Sequence, residues 1–237
     1  MVQRIAPLIQ QHPKNAGLYF LLALAHYGLS DLQKSEANVR EALRLDPKTR
    51  AAHLLLAYIK FARGSAEEAK SELRSAIDAD PRNTSIYLEL ELQYEKEGKW
   101  EEAKRICEKA RQVDPASPVL ANQLAYLYLE HGGDAKAALS LALEAKKKMP
   151  ASPYVADTLG WAYFKSGMTD AAVQQLKQCV QTPPTNPTCL YHLGVAYAAA
   201  GNRDAAQRSL QQALKDPGFR YPELAKAALS RISSNVR

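Results

Sequence analysis

Three cysteines and five histidines are the residues of this sequence that could hold a metal ion or act as nucleophiles. Cys189 and His192 stand three residues apart, as on one face of a helix, and Cys179 could add a third ligand. Neither an H-E-x-x-H motif nor a Cys-x-x-Cys pair accompanies them. We therefore predict no metal site and expect the cysteines to pack as small apolar side chains. A disulfide between Cys179 and Cys189 is the alternative, and it would require an oxidising compartment.

Acidic pairs and one run of lysines are the other groups that could do chemistry. Glu67-Glu68 and Glu101-Glu102 could act as acid and base, but each pair opens a predicted helix, where the helix dipole favours negative charge. The run 146–148 is all lysine and could contact phosphate, but it ends a predicted helix, where the dipole favours positive charge. No glycine-rich nucleotide-binding motif occurs. We therefore predict no catalytic residue, no cofactor and no small-molecule substrate.

The elements that position these residues follow from a repeat in the sequence. Apolar residues such as Leu190, Leu193 and Tyr197 recur at helical spacing. Prolines and glycines interrupt them at intervals of 34 or 35 residues, at Pro13, Pro47, Pro81, Pro115, Pro150 and Pro184 and at Gly64, Gly98, Gly132, Gly167 and Gly201. Each unit is predicted to be two helices, because a glycine in the left-handed conformation can end the first and a proline the second.

Polar residues stand where the predicted helices begin and can cap them. Before the first helices of three units, the capping residue is followed by proline, as at Ser117, Ser152 and Asn186. Before second helices, the capping residues are Asp31, Ser65 and Asn202. These residues are expected to accept hydrogen bonds from the first backbone N–H groups of each helix.

This pattern resembles the tetratricopeptide repeat, a 34-residue pair of helices. The family's leucine at position 7 is present in every unit, as Leu22, Leu56, Leu90, Leu124, Leu159 and Leu193. The resemblance divides the chain into a partial repeat at 1–15, six repeats at 16–49, 50–83, 84–117, 118–152, 153–186 and 187–218, and a capping helix and tail at 219–237. It implies an all-α fold, a right-handed α-solenoid of antiparallel helix pairs that forms a single domain over residues 1–237.

Position 8 of each repeat should be small, because the two helices approach closely there. The residues are Ala23, Ala57, Ala125, Gly160 and Gly194, and only Glu91 departs from the series. Glu91 indicates either local loosening of the packing or a side chain that snorkels to solvent.

The two ends of the chain are also predicted to be helical. Residues 1–11 resemble the second helix of a preceding repeat, so that we expect the chain to be a fragment of a longer protein. The C-terminal helix should cover the last repeat with an apolar stripe and leave its charged residues in solvent. The stripe consists of Leu224, Ala225, Ala228, Leu229 and Ile232, and the charged residues are Glu223, Lys226 and Arg231.

In tetratricopeptide proteins the first helices line a concave groove that holds peptides or helices. The resemblance implies that the groove residues here are Phe20, Leu24, Leu54, Tyr58, Leu88, Asn122, Gln123, Tyr126, Asp157, Trp161, Tyr191 and His192. For the mixed polar and aromatic C-terminal half we favour partner binding, whereas binding and burial in the core are open alternatives for the apolar N-terminal half. The lysine, asparagine and arginine set with which chaperone co-factors of this family clamp a carboxylate is absent.

Composition and charge narrow the function further. The net charge of +6 is too small to predict nucleic-acid binding, and the longest apolar stretch, Leu18–Ala25, is too short to span a membrane. We predict a non-catalytic scaffold that binds a protein or peptide. The alternative is a structural or self-assembling segment of a larger protein, in which the apolar half of the groove or the N-terminal helix packs on a second copy. Residues 157–163 and 191–194 resemble bacterial tetratricopeptide proteins, some of which belong to cell-envelope or exopolysaccharide export. A homo-oligomer and either a cytoplasmic or a periplasmic location are compatible with this sequence.

Overall fold

The computed structural model describes residues 1–181, 183 and 185–234, and these form fourteen helices without a strand. Pro184, expected to end a second helix, lies outside the described residues, as do Thr182 and residues 235–237. The helices are α1 Val2–Gln11, α2 Ala16–Gly28, α3 Leu32–Leu45, α4 Arg50–Ala62, α5 Ala66–Ala79, α6 Thr84–Lys96, α7 Trp100–Val113, α8 Pro118–Glu130, α9 Ala135–Lys148, α10 Pro153–Lys165, α11 Thr169–Val180, α12 Pro187–Ala199, α13 Arg203–Ala213 and α14 Pro222–Ser234. The even-numbered helices α2 to α12 are the first helices of the six repeats.

Side-chain caps begin most of the helices for which they were predicted. Ser117, Ser152, Asn186, Asp31 and Asn202 each accept a hydrogen bond from a backbone N–H of the helix that follows. The prediction is wrong for Ser65, whose side chain makes no such bond. Ser117 and Ser152 have extended backbones with ψ of 117° and 122°, whereas ψ is 64° at Ser65. The longer Asp31 and Asn202 side chains reach the helix from a similarly small ψ, and the serine hydroxyl does not.

The turn inside each repeat requires one residue in the left-handed conformation. The glycines predicted for this role have φ between 70° and 78°, at Gly64, Gly98, Gly132, Gly167 and Gly201. In the first repeat Ser30 takes the same role with φ of 60°. The left-handed conformation predicted for these glycines is therefore confirmed. The first repeat has Ser30 in place of the glycine, and this conformation has a steric cost for a residue with a Cβ atom.

The chain divides into two compact units, residues 1–114 with α1 to α7 and residues 115–237 with α8 to α14. Within each unit the two helices of a repeat pack on each other, and the second helix packs on the first helix of the next repeat. The small residues at position 8 allow the close approach. A Cβ atom on Gly160 would lie 2.5 Å from Cγ of Leu176, and one on Gly194 would lie 2.6 Å from Cγ of Leu210.

Of the two alternatives for Glu91, the one in which its side chain snorkels to solvent is wrong. Its side chain is only 2% exposed, although it stands at a position that the other repeats fill with alanine or glycine. Its charge acts on Cys107 of the neighbouring helix α7. Burial, and to a lesser extent this carboxylate, raise the pKa of the Cys107 thiol to about 12. Cys107 is therefore an inert, buried thiol, as its apolar position predicts.

Ion pairs join consecutive repeats of the first unit, and their polarity reverses from one repeat to the next. Glu36 lies 2.5 Å from Arg63 and 2.9 Å from Lys60 of the second repeat. Lys70, at the position equivalent to Glu36, is fully buried and lies 2.6 Å from Glu97, at the position equivalent to Arg63. Pairing Glu36 with Glu97 would bring like charges together. The alternation of charge thus favours the native stacking of the repeats over a stacking that is displaced by one whole repeat.

Candidate protein-binding surfaces

In the first unit the first helices α2, α4 and α6 leave apolar side chains in solvent. We call these the N-terminal apolar face, and they are Leu21, Leu24, Tyr27, Tyr58 and Leu92, which are between 36% and 46% exposed. Phe20, Leu54 and Leu88, also predicted as groove residues, are half-buried. This half of the groove therefore contains both exposed and buried apolar residues. The residues at position 9 face solvent, while Leu55 at position 6 of the second repeat belongs to the core.

Two features show how the N-terminal apolar face is arranged. Burial raises the pKa of the Tyr58 phenol, and the charges of Glu89 and Tyr27 add to the effect, so the three side chains are neighbours. Glu89 also accepts a hydrogen bond from Gln93 at 2.9 Å. The face thus combines leucines and Tyr27 on α2 with Tyr58 on α4, and the acidic Glu89 on α6 lies near Tyr58.

A cavity of about 650 Å³ adjoins the same face, between α1 and α2. Its walls are largely apolar, and they are formed by Met1, Val2, Gln3, Leu21, Leu24, Ala25, Gly28 and Leu29. Leu21 and Leu24 belong both to this cavity and to the N-terminal apolar face. The cavity is large and apolar enough to admit an apolar side chain beside the exposed leucines of α2.

In the second unit the aromatic groove residues are buried. Trp161 is 7% exposed and stacks between two rings, with centroids 4.8 Å from Phe164 and 4.1 Å from His192. Its indole Nε1 donates a hydrogen bond to Glu130 Oε1 at 2.6 Å. Lys165 lies over the ring, with its ammonium 5.0 Å from the centroid. Trp161 occupies position 9, as Leu24 and Tyr58 do, but it is not available as a surface anchor in this arrangement.

The cover over this half of the groove comes from the chain itself. The 219–221 segment, Phe219-Arg220-Tyr221, connects α13 to α14 and lies against the first helices. Arg220 Nη1 donates a hydrogen bond to the hydroxyl of Tyr126 on α8 at 2.7 Å. The hydroxyl of Tyr221 donates to Glu130 Oε2 at 3.4 Å.

Tyr191 on α12 completes the contact with this segment. It is 9% exposed, with ring centroids 5.9 Å from Phe219 and 5.7 Å from Tyr221. Burial raises the pKa of Tyr221, and the Glu130 carboxylate adds to the shift. The same two causes raise the pKa of Tyr191. Both phenols are therefore neutral hydrogen-bonding groups across the physiological range.

The polar groove residues of the second unit are buried or half-buried as well. His192 is 4% exposed, and its Nδ1 is 2.9 Å from Asp157 Oδ1. Its Nε2 is buried without a hydrogen-bond partner, as is Oδ1 of Asn122 on α8. Gln123 and Tyr126 are half-buried on the same helix. The structure thus brings Asp157, His192 and Trp161 together, but as an interior cluster.

Cys179 and Cys189 form a disulfide, with Cα atoms 6.0 Å apart. The expectation that both pack as free thiols is therefore wrong, because the end of α11 and the start of α12 bring the two residues into bonding range. Asp157 lies within 4.8 Å of both sulfur atoms. Oxidised sulfurs are not thiolate ligands, so this cluster in its disulfide form is not a metal site of the usual kind.

Sequence reasoning missed the 219–221 segment and its acceptor Glu130. The available signal was the triplet itself, since two aromatic residues around an arginine are unusual in a short connection between helices. The capping helix was predicted, but not all of its contacts. Leu224, assigned to its buried stripe, is 54% exposed and that assignment is wrong, because α14 packs through Ala225, Leu229 and Ile232 instead.

Helix pairs stacked at a 34-residue period, with first helices that leave apolar side chains in solvent, define an α-solenoid. Residues 20–84 and residues 163–232 each match sequence profiles of the tetratricopeptide repeat. The chain belongs to the tetratricopeptide repeat family. Repeats of this family serve as protein–protein interaction scaffolds and are generally not catalytic.

Solved structures of similar fold support the assignment. A chain of the APC/C hetero-tetramer Cut9–Hcn1 has a TM-score of 0.66 at 19% identity over 96% of this chain, which spans only 45% of that longer one. PilF of Pseudomonas aeruginosa has a TM-score of 0.66 at 20% identity, with 93% of this chain and 97% of PilF covered. YrrB, described as having an unusual peptide-binding site, has a TM-score of 0.63 at 17% identity, with 80% and 97% covered. No curated protein sequence is similar enough to count as a relative.

Among the described helices, none has the length and apolar character needed to cross a membrane. The second unit and the first unit thus each offer one candidate site, a surface made by first helices. One is open and apolar, and the other is covered by the 219–221 segment.

Proposed function

We propose that this protein is a non-catalytic scaffold and that its N-terminal apolar face holds a peptide or a helix of a partner protein. The observation that carries the proposal is the row of exposed apolar residues at the same position of three successive repeats, namely Leu24, Tyr58 and Leu92. Large apolar side chains that recur on one face are costly in water unless a partner covers them.

The shape and charge of this face suggest the class of partner. Residues at position 9 lie on consecutive first helices, so the row crosses those helices instead of following one of them. An amphipathic helix with apolar residues at i, i+3, i+4 and i+7 would present a matching stripe. The acidic Glu89 beside Tyr58 favours a partner that carries a basic residue next to this stripe.

Site-specific photo-crosslinking in cells of the source organism tests the proposal. A photoreactive phenylalanine analogue placed at Tyr58 should form adducts with another protein. The same analogue at Val113, which is 38% exposed but lies on the second helix α7, is the matched control and should not. Adducts of equal yield at both positions, or none at Tyr58, would contradict the proposal.

The partner captured at Tyr58 can then be used to test the row itself. Leu24→Ala and Leu92→Ala should each weaken binding by about 1–2 kcal/mol, because both side chains are large and apolar. Their melting temperatures should stay near that of the wild type, since both residues are 40% exposed. Adducts at Tyr58 that consist of two copies of this chain would favour the alternative, a self-assembling segment.

A further inference from the structure

We propose that the 219–221 segment is an internal ligand of the surface formed by α8, α10 and α12, and that this surface accepts partner peptides with an arginine between two aromatic residues. The proposal rests on the scaffold function but concerns a different face. In the chain as it stands, the segment and such a partner compete for one site.

The contacts of the segment are those of a bound peptide. Tyr126, Trp161 and Tyr191 stand at positions that the family uses for ligands, on three successive first helices. Arg220 reaches the hydroxyl of Tyr126 at 2.7 Å. Phe219 inserts its ring beside Tyr191, at 5.9 Å between centroids, and is only 7% exposed.

Glu130 gives this surface its preference for hydrogen-bond donors. Its carboxylate accepts from Trp161 Nε1 at 2.6 Å and lies 3.4 Å from the hydroxyl of Tyr221. One acidic group thus fixes the indole and also recognises the second aromatic residue of the segment. A peptide without a donor at that position would leave one carboxylate oxygen without this partner.

The helix behind the segment is weakly attached, which makes displacement feasible. In α14 only Ala225 is buried, whereas α12 buries seven residues and α10 also buries seven. A cavity of about 400 Å³ is left between α12 and α14, with Val195 and Arg231 among its lining residues. The segment therefore adds contacts of its own to those of Ala225, Leu229 and Ile232, and a competing peptide needs to replace only the contacts of the segment.

Fluorescence anisotropy with a labelled synthetic peptide, Leu214 to Leu224 of this sequence, tests the proposal on the full chain. The wild type should bind the peptide weakly, because its own segment occupies the site. Phe219→Ala/Arg220→Ala should bind it at least about tenfold more tightly, since a site that is open a tenth of the time loses that factor in apparent affinity. A peptide in which alanine replaces the arginine should bind this variant less tightly.

Two further variants keep the result decisive. If Phe219→Ala/Arg220→Ala melts, Arg220→Ala/Tyr221→Phe removes only the polar contacts and should still gain affinity for the peptide. Adding Glu130→Gln to either variant should reduce the gain. The proposal is overturned if neither folded variant binds the peptide more tightly than the wild type. The assay contains no cellular partner, so its failure would leave the crosslinking test at Tyr58 unaffected, and the reverse also holds.

Discussion

Arg220 and Tyr126 are 94 residues apart in sequence, yet the guanidinium of the first donates a hydrogen bond to the hydroxyl of the second at 2.7 Å. Both residues belong to the second unit, and the bond connects the start of the capping helix to the first helix of the fourth repeat. A contact of this range closes a surface that periodicity alone leaves open. It also gives a direct measure of how firmly the cover is held.

A double-mutant cycle measures that contact. Tyr126→Phe and Arg220→Ala should couple by about 0.5–1.5 kcal/mol in the free energy of unfolding, which is the usual net worth of one hydrogen bond. Urea denaturation of the two single variants and the double variant provides the value. Lys226→Ala is the control partner for Tyr126→Phe, because Lys226 pairs with the exposed Glu223, and those two changes should be additive. Additivity for Arg220 as well would show that the cover is loose.

Burial of Trp161 predicts a structural cost for its removal. Trp161→Ala should lower the free energy of unfolding by about 3–5 kcal/mol, because it empties a stacked, 7% exposed site. Tyr58→Ala, at the equivalent position of the second repeat, should cost less than about 1 kcal/mol, because Tyr58 is 42% exposed. Chemical denaturation of both variants checks the contrast. Equal losses would show that the two faces do not differ in exposure.

This contrast marks the limit of what sequence can predict here. The helices, their caps and the left-handed turn residues follow from local rules, since each depends on a few neighbouring residues. The helix starts at Pro118, Pro153 and Pro187 are examples. The exposure of Trp161 depends instead on which side chains other helices bring to it, here His192 on α12 and Glu130 on α8.

The errors at cysteine and glutamate have a similar origin. Cys179 and Cys189 occupy positions at which a small apolar side chain is sufficient, so packing rules do not require their pairing. Glu91 replaces a small residue and still remains buried, which the small residues at position 8 of the other repeats do not predict. In each case the side chain that decides the outcome lies on another helix.

The disulfide predicts a simple thiol count. Protein purified without reductant and unfolded in guanidinium should react with about one equivalent of Ellman's reagent, from Cys107 alone, because the other two cysteines are oxidised. Prior reduction should raise the count to three. Reduction should also lower stability by about 2–4 kcal/mol, the range expected for a bridge of this loop length. Three equivalents without reductant would contradict the bridge.

Glu97 predicts an acid-sensitive contribution to stability. Hydrogen bonds from Lys70 and Lys99 lower the pKa of its carboxyl below the ordinary value of 4.5. A lowered folded-state pKa stabilises the protein above the unfolded pKa, and this contribution is lost as the pH falls through the folded value. Glu97→Gln should cost about 1–3 kcal/mol at neutral pH, because it removes a partner from the fully buried Lys70.

The difference between wild type and Glu97→Gln should therefore begin to shrink as the pH falls below 4.5, and it should be smallest once the pH has fallen through the lowered pKa of the folded carboxyl. Thermal melts across the acid range check this. Glu223→Gln is the control, since its exposed pair with Lys226 should change stability by less than about 0.5 kcal/mol at any pH. A gap for Glu97→Gln that is constant with pH would mean that the loss is one of packing.

Gly160 predicts how little space separates the helices of a repeat. In Gly160→Ala the new Cβ would lie 2.5 Å from Leu176 Cγ and 3.2 Å from the Leu176 backbone nitrogen, so α10 and α11 must move apart. We expect a loss of about 1–3 kcal/mol in spite of the higher helix propensity of alanine. Gly28→Ala is the control, because nothing lies within 4 Å of its Cβ position, and it should be neutral or slightly stabilising. If Gly160→Ala were as stable as Gly28→Ala in urea, close packing would not be the reason for the glycine at position 8.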